Sequence, residues 1–171
     1  MICPSCGHAN IPGSDECARC MCDFSSLDVP TAHDRVEASV ISDSVRALKP
    51  KAPVTISRHA LLGDALQRMV DEEIGALIVT DEKQQIVGIL TERDYLTKVV
   101  GVIGDYAHQP LESIMTPNPE SVGPDDSFAY VLQRMDIGGY RHLPVVENGR
   151  PVGIISVRDV IRHITRLCRD S

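Results

Sequence analysis

The 171-residue chain holds six cysteines, at 3, 6, 17, 20, 22 and 168, five of them within its first 22 positions. Cys3-Pro4-Ser5-Cys6 and Cys17-Ala18-Arg19-Cys20 repeat one spacing, with ten residues between the pairs. Two residues between cysteines let both thiolates of a tight turn face one ion. Two such turns supply four soft ligands in a tetrahedron, the set that suits a structural Zn²⁺ held by Cys3, Cys6, Cys17 and Cys20. Iron can be held by the same turns. A redox Cys-x-x-Cys pair is expected after a strand in a βαβ unit, a context this segment lacks. Cys22 could replace Cys20 and His8 could ligate, but Cys20 has the matching spacing and four cysteines already complete the shell. A segment of about 25 residues buries too little apolar surface to fold alone, so the metal would supply most of its folding free energy. Four thiolates around a dication leave the site anionic, and Arg19 is the one Lys or Arg before residue 35. A basic nucleic-acid finger is therefore not expected.

The elements that must carry any further chemistry follow from composition. Lys plus Arg total 17 against 24 Asp plus Glu, a formal net charge of −7, which argues against an indiscriminate grip on nucleic acid or anionic membrane. Hydrophobic residues are 43% and charged residues 24%, as in an ordinary globular protein. With no Trp, two Phe and four Tyr, the core must be aliphatic. No apolar run approaches the length of a membrane span. Met1-Ile2-Cys3-Pro4 shows neither a basic start nor an apolar leader, so a cytoplasmic protein is expected.

From about residue 48 the chain repeats itself. Ala65-Leu66-Gln67-Arg68-Met69 returns as Val131-Leu132-Gln133-Arg134-Met135, and Leu77-Ile78-Val79 as Leu143-Pro144-Val145, at an offset of 66. Val87-Gly88-Ile89-Leu90-Thr91-Glu92-Arg93-Asp94 returns as Val152-Gly153-Ile154-Ile155-Ser156-Val157-Arg158-Asp159 at an offset of 65. The missing residue falls in a hairpin, where Asp81–Gln85 shortens to a turn around Asn148-Gly149. Each copy reads strand, helix, strand, strand, helix. The first strands are Val54–Ile56 and Glu120–Val122. The first helices carry Leu62, Ala65, Leu66, Met69 and Val70, or Phe128, Val131, Leu132 and Met135, at helical spacing. Asp125 and Asp126 stand where the second of these helices needs an N-cap. The following strands are nearly continuous in apolarity, which predicts burial on both faces. The closing helices carry Leu96, Val99, Val100 and Ile103, or Val157, Val160, Ile161, Ile164 and Cys168, the last a buried or partly buried thiol. The reading is thus an α/β (α+β) chain of residues 1–25, a metal-bound segment; 26–47, a linker with a short docking helix around Val36, Val40, Ile41, Val45 and Leu48; and two repeat units at 48–110 and 111–171.

Two resemblances attach to these residues. Cys3 to Gly13 resembles the short zinc-ribbon family, with Gly7 placed where the turn needs a residue tolerant of positive φ. The twice-present Gly-Ile-Leu-Thr-x-x-Asp and Gly-Ile-Ile-Ser-x-x-Asp, with Met115-Thr116-Pro117 and Arg141-His142-Leu143-Pro144-Val145-Val146, resembles the CBS domain over residues 48 to 170. Two copies imply one tandem module of the Bateman type, with pseudo-two-fold symmetry and two clefts. They also imply a homodimer of modules and regulation by an adenine nucleotide (AMP, ADP or ATP) or by S-adenosylmethionine.

On that resemblance the motif has a physical reading. Gly88 and Gly153 would let a ligand approach the strands. Thr91 and Ser156 end strands and open helices, where hydroxyls and first-turn N–H groups can meet phosphate. Asp94 and Asp159, three residues on, can accept from both hydroxyls of a ribose. Backbone at Thr55-Ile56 and Ser121-Val122 could read the adenine edge. Thr/Ser-x-x-Asp is equally a helix-capping pattern, and that alternative stays open. The copies differ where phosphate needs charge. Arg141 and His142 precede Leu143-Pro144 in the second, where the first has Gly75 and Ala76, so the Asp159 cleft is favoured. Arg93 and Arg158 could add charge to either. His59, His108 and His163 have no partner that the sequence identifies, and Asp71-Glu72-Glu73 reads as solvated surface.

The function expected is a regulatory, non-catalytic nucleotide sensor whose zinc ribbon contacts a partner protein. The alternative is a ligand-free dimeric scaffold presenting the ribbon. Neither a Walker loop, a nucleophile elbow nor a His-Glu-x-x-His motif is present, so no enzyme is expected.

Overall fold

The computed structural model describes residues 3, 5–11, 14–24 and 32–169. The start of the expected linker, with Pro30, and the chain's first two residues lie outside them. The chain divides into two compact units, Met1–Asp34 and Arg35–Ser171.

The smaller unit is two successive turns of the same form. Gly7 N–H donates to Cys3 O and Cys3 N–H to His8 O; in the second turn Met21 N–H donates to Cys17 O and Cys17 N–H to Cys22 O, all at 2.9 Å. Gly7 (φ 69°) and Met21 (φ 57°) take the left-handed conformation that closes each turn. An antiparallel bridge, Glu16 with Asp23, follows, and Phe24 packs beside Cys3 and Cys17.

The larger unit begins with α1 (Arg35–Ser42) and a 3₁₀ turn (Val45–Leu48). The first copy comprises β1 (Thr55–Ser57), α2 (Leu62–Asp71), β2 (Ala76–Thr80), β3 (Ile86–Thr91) and the short α3 (Glu92–Asp94), followed by a 3₁₀ turn at Leu111–Ser113 and β4 (Thr116–Pro117). The second has α4 (Phe128–Gly138), β5 (His142–Glu147), β6 (Arg150–Ser156) and α5 (Val157–Arg169). β1 runs parallel to β2, β3 antiparallel to β2, and β4 antiparallel to β3. In the second copy β5 and β6 pair His142 with Ser156, as β2 and β3 pair Ala76 with Thr91. Its first strand, expected over Glu120–Val122, is reduced to a parallel bridge, Val122 with Val145. Asn148 (φ 52°) and Gly149 (φ 79°) form the two-residue hairpin that their sequence predicts.

The two copies complete each other. β4 lies at the start of the second copy yet pairs with β3 of the first, and Lys51 lies at the start of the first copy yet pairs with Ile154 of the second. The cores are exchanged in the same way. Leu111, Ile114 and Met115 pack with Leu62, Met69, Leu77 and Leu90, whereas Val45 and Leu48 pack with Phe128, Val131, Leu143 and Ile155. Each lead-in segment is short, and its few apolar side chains find buried surface in the opposite half. Cutting the chain at residue 110 would therefore open both cores.

Three local expectations are corrected. The N-cap of α4 is Ser127, whose hydroxyl accepts from Tyr130 N–H at 3.1 Å. Asp126 instead accepts from Gly123 N–H, and Asp125 pairs with Arg46. The helix expected through Ile103 is one α turn that passes into a π turn at Tyr95–Val99, leaving Leu96 and Val100 exposed and Val99 buried. Cys168 is exposed, because the last turn of α5 runs past the core that holds Val160 and Ile164.

Candidate metal centre and nucleotide cleft

The two cysteine turns bring the Sγ atoms of Cys3, Cys6, Cys17 and Cys20 within 4.8 Å of one another. Cys3 to Cys20 is 3.6 Å and Cys6 to Cys17 is 3.7 Å. Four sulfurs about 2.3 Å from a common centre stand about 3.8 Å apart, so the set fits one tetrahedral ion. Backbone and amide N–H groups support it, with Arg19 N–H 3.4 Å and Asn10 Nδ2 3.6 Å from Cys17 Sγ. Burial works against ionising Cys17, yet donors from Cys20, Arg19 and Asn10 bring its thiol down to about 6, while at Cys6, against the His8 N–H, the neighbouring sulfurs, chiefly Cys20, push the thiol up to about 12. His8 and Cys22 fill matching places as carbonyl acceptors of the two turns, and neither side chain joins the cluster.

In the larger unit an open cleft of about 1210 Å³ lies between the copies. Its apolar walls include Leu66, Met69 and Val70 of α2 with Tyr95 and Tyr106. Its polar end gathers Arg141, His142, Ser156, Arg158 and Asp159 from the second copy with Lys51 from the lead-in to the first. Glu73 and Glu92 also face it, so the cleft carries both signs of charge. His142 is pushed below the ordinary histidine range, first by burial and also by Arg158 and Arg141, against the pull of Glu92 and Asp159.

Both motif aspartates are buried, Asp94 at 7% and Asp159 at 5% exposure. Each is locked by its own capping box. Thr91 donates to Asp94 Oδ2 through Oγ1 at 2.7 Å and N–H at 3.0 Å, and Ser156 to Asp159 Oδ2 through Oγ at 2.5 Å and N–H at 2.9 Å. The hydroxyls are thus committed to the carboxylates, not to the cleft. The second oxygens differ. Asp94 Oδ1 accepts from Thr116 Oγ1 at 3.0 Å and pairs with Lys98 Nζ at 2.7 Å. Asp159 Oδ1 takes only Arg162 Nη1, at 2.8 Å, among its described partners. Burial opposes both charges, but these bonds hold both carboxyls below the usual range.

The other sequence candidates lie elsewhere. Gly88 and Gly153 line no part of this cleft; protein fills the space above them. A Cβ on Gly88 would overlap Met115 Sδ, and one on Gly153 would sit 2.8 Å from Pro50 Cβ. The glycines thus admit the crossing segments instead of a ligand. Thr55 and Ile56 lie in β1, and Ser121 and Val122 in the bridged segment; neither pair lines the cleft. Leu143 and Pro144 are buried in β5, Arg93 is exposed, and Thr91 and Asp94 face a different junction, with Thr116. Sequence reasoning missed Lys51, whose place depends on a long-range strand pairing.

Comparisons with known proteins place this architecture. The family model described as CBS domain matches twice, over residues 45–101 and 111–166. An Arabidopsis thaliana CBS domain-containing protein, CBSCBSPB5, is 35% identical over 114 residues, which are 67% of this chain and 21% of that protein. The chain thus spans about a fifth of that curated relative's length. Among solved structures, a CBS-domain containing protein from Agrobacterium tumefaciens is 33% identical with a TM-score of 0.63, covering 69% of this chain and 95% of its own. The CBS domain pair of MJ0100, solved with 5′-methylthioadenosine and S-adenosyl-L-methionine, is 25% identical with a TM-score of 0.65, covering 72% and 96%. CBSX2, solved with AMP, shares the fold at 21% identity and a TM-score of 0.62, covering 73% and 98%. The chain belongs to the CBS-domain family and carries two tandem copies of the domain.

Proposed function

We propose that this protein is a regulatory adenine-nucleotide sensor, with a structural zinc ribbon through which it contacts a partner protein. The observation that carries the reading is the junction of Asp159 with Lys51, Arg141 and Arg158 at the polar end of a cleft that also has apolar walls. A ribose hydroxyl can donate to Asp159 Oδ1 once Arg162, whose side chain is 67% exposed, swings aside. The three cations suit phosphate, and the aliphatic and tyrosine walls suit a purine face. AMP, ADP and ATP share this chemistry. S-adenosylmethionine shares the adenosine, and its cationic sulfonium and ammonium have Glu73 and Glu92 to face. The MJ0100 and CBSX2 structures, with adenosyl ligands and AMP respectively, support the class of ligand.

Binding would act by favouring one arrangement of the two copies, since the cleft is built from both. It requires no bond chemistry, in keeping with a family of generally regulatory modules. Exposed Ile137 on α4 and Ile161 on α5, at 75% and 58%, support pairing of modules into a homodimer. The four cysteines carry the zinc. No helix among the described residues is long and apolar enough to cross a membrane, and cysteines gathered as a metal set suit a cytoplasmic location.

Isothermal titration of the zinc-loaded chain with AMP, ADP, ATP and S-adenosylmethionine tests the reading. Saturable heat with at least one supports the sensor. Silence with all four, together with a stable dimer by light scattering, favours a ligand-free scaffold.

A further inference from the structure

The two copies treat equivalent aspartates in opposite ways, and the difference lies in two positions. Register pairs Thr116 with Ile89 and Lys51 with Ile154, so Thr116 and Lys51 are equivalent. The repeat offset makes Lys98 and His163 equivalent. In the first copy Thr116 and Lys98 both converge on Asp94 Oδ1, and Lys98 Nζ is held there by a further bond to Ile114 O at 2.9 Å. Every lone-pair direction of that carboxylate that a ribose would need is met by the chain itself. In the second copy His163 turns away from Asp159. Its Nε2 lies 2.8 Å from Ser39 Oγ and 3.4 Å from Asp43 Oδ2, its Nδ1 accepts from Arg166 at 2.9 Å, and its ring packs edge-on against Phe128. α1 therefore draws away the side chain that would otherwise occupy Lys98's role, and Asp159 Oδ1 is left to a solvent-exposed arginine.

We infer that the module binds one nucleotide per chain, at Asp159. Lys98 with Thr116 acts as a built-in occupant that closes the Asp94 site, and the Ser39–Asp43–His163 cluster keeps the Asp159 site open. This rests on the sensor reading above and adds to it which carboxylate is used. Lys98, Ser39 and Asp43 are positioning residues; none touches the ligand.

Native mass spectrometry of the full zinc-loaded chain with ATP, and with AMP in parallel, counts the bound nucleotides. One per chain is expected. Asp159→Asn should weaken binding about thirtyfold or more, as loss of a buried charged partner does, and Asp94→Asn by less than about threefold. Labelling needs no variant. An acyl phosphate of ATP, which transfers its acyl group to a lysine amine beside the phosphates and releases ATP, should on peptide mapping mark Lys51 and spare Lys98. Two nucleotides per chain, binding that survives Asp159→Asn but not Asp94→Asn, or label on Lys98 would overturn the single-site inference and leave the sensor standing. No ligand retained when AMP, ADP, ATP and S-adenosylmethionine are each supplied would overturn both.

Discussion

Lys51 and Ile154 exchange two backbone hydrogen bonds, Lys51 N–H to Ile154 O at 3.1 Å and Ile154 N–H to Lys51 O at 3.0 Å. This pairing bridges the lead-in of the first copy onto β6 of the second. It also sets the Lys51 ammonium where its charge reaches Asp159. The cleft is therefore a property of the exchanged pair, and neither copy holds it alone.

Lys51→Ala should lower nucleotide affinity about tenfold, near 1.4 kcal/mol, by removing one charge-assisted contact. The side chain is exposed, so the loss of stability should stay within about 0.5 kcal/mol. Calorimetry at two salt concentrations checks this: the variant should show weaker binding and a shallower salt dependence.

Gly153→Ala should destabilise by about 1–3 kcal/mol, because the added methyl meets the half-buried Pro50 ring and Val145, and Gly88→Ala by less, because what it meets is the flexible end of the Met115 side chain. Gly104, with open space where a Cβ would go, supplies the control, and its alanine variant should fall within about 0.5 kcal/mol of the parent. Urea denaturation read by circular dichroism separates the three.

The repeat, the cysteine tetrad, the Asn148-Gly149 hairpin and the basic Arg141-His142 step were legible because each is written in local spacing. The exchange of lead-in segments was not. Val45, Leu48, Ile114 and Met115 look like ordinary apolar residues in chain order, and only the packed structure assigns them to the opposite core. The two readings of Thr/Ser-x-x-Asp, capping or ligand contact, could not be separated in sequence. The structure shows the capping in both copies and differs at Oδ1, whose partners Thr116 and Lys98 come from a strand and a π turn that periodicity did not foresee. Gly88 and Gly153 point to close approach, as their sequence position suggests, but what approaches is the chain itself.

Acid should act on the capping aspartates in a defined direction. Burial raises the carboxyls of Asp94 and Asp159, but Lys98 and Thr91, or Ser156 and Lys51, outweigh it, so both sit below their unfolded value of 3.8. Their contribution to stability is full above that value and is lost as pH falls through the lower folded values. Thermal melts of the parent between pH 5 and pH 2.5, set against Asp94→Asn and Asp159→Asn, should show a steeper acid loss in the parent.

Removing the metal should unfold the small unit alone. Among its described residues it buries only Cys3, Cys17 and Phe24 as a core, too little to hold without an ion. Elemental analysis should give one zinc per chain. After chelation, the amide resonances of residues 5–24 should collapse toward random-coil positions while those of the larger unit stay. Cys17→Ser should reproduce this at ordinary zinc concentrations.

The most direct test of the account is a nucleotide titration of the ¹⁵N-labelled, zinc-loaded chain followed residue by residue. Binding at the proposed cleft predicts saturable shifts at Lys51, Arg141, His142, Ser156 and Arg158, with Asp94, Lys98 and Thr116 left in place. Saturable shifts centred on Asp94, Lys98 and Thr116, or a spectrum unchanged by AMP, ADP, ATP and S-adenosylmethionine alike, would contradict it.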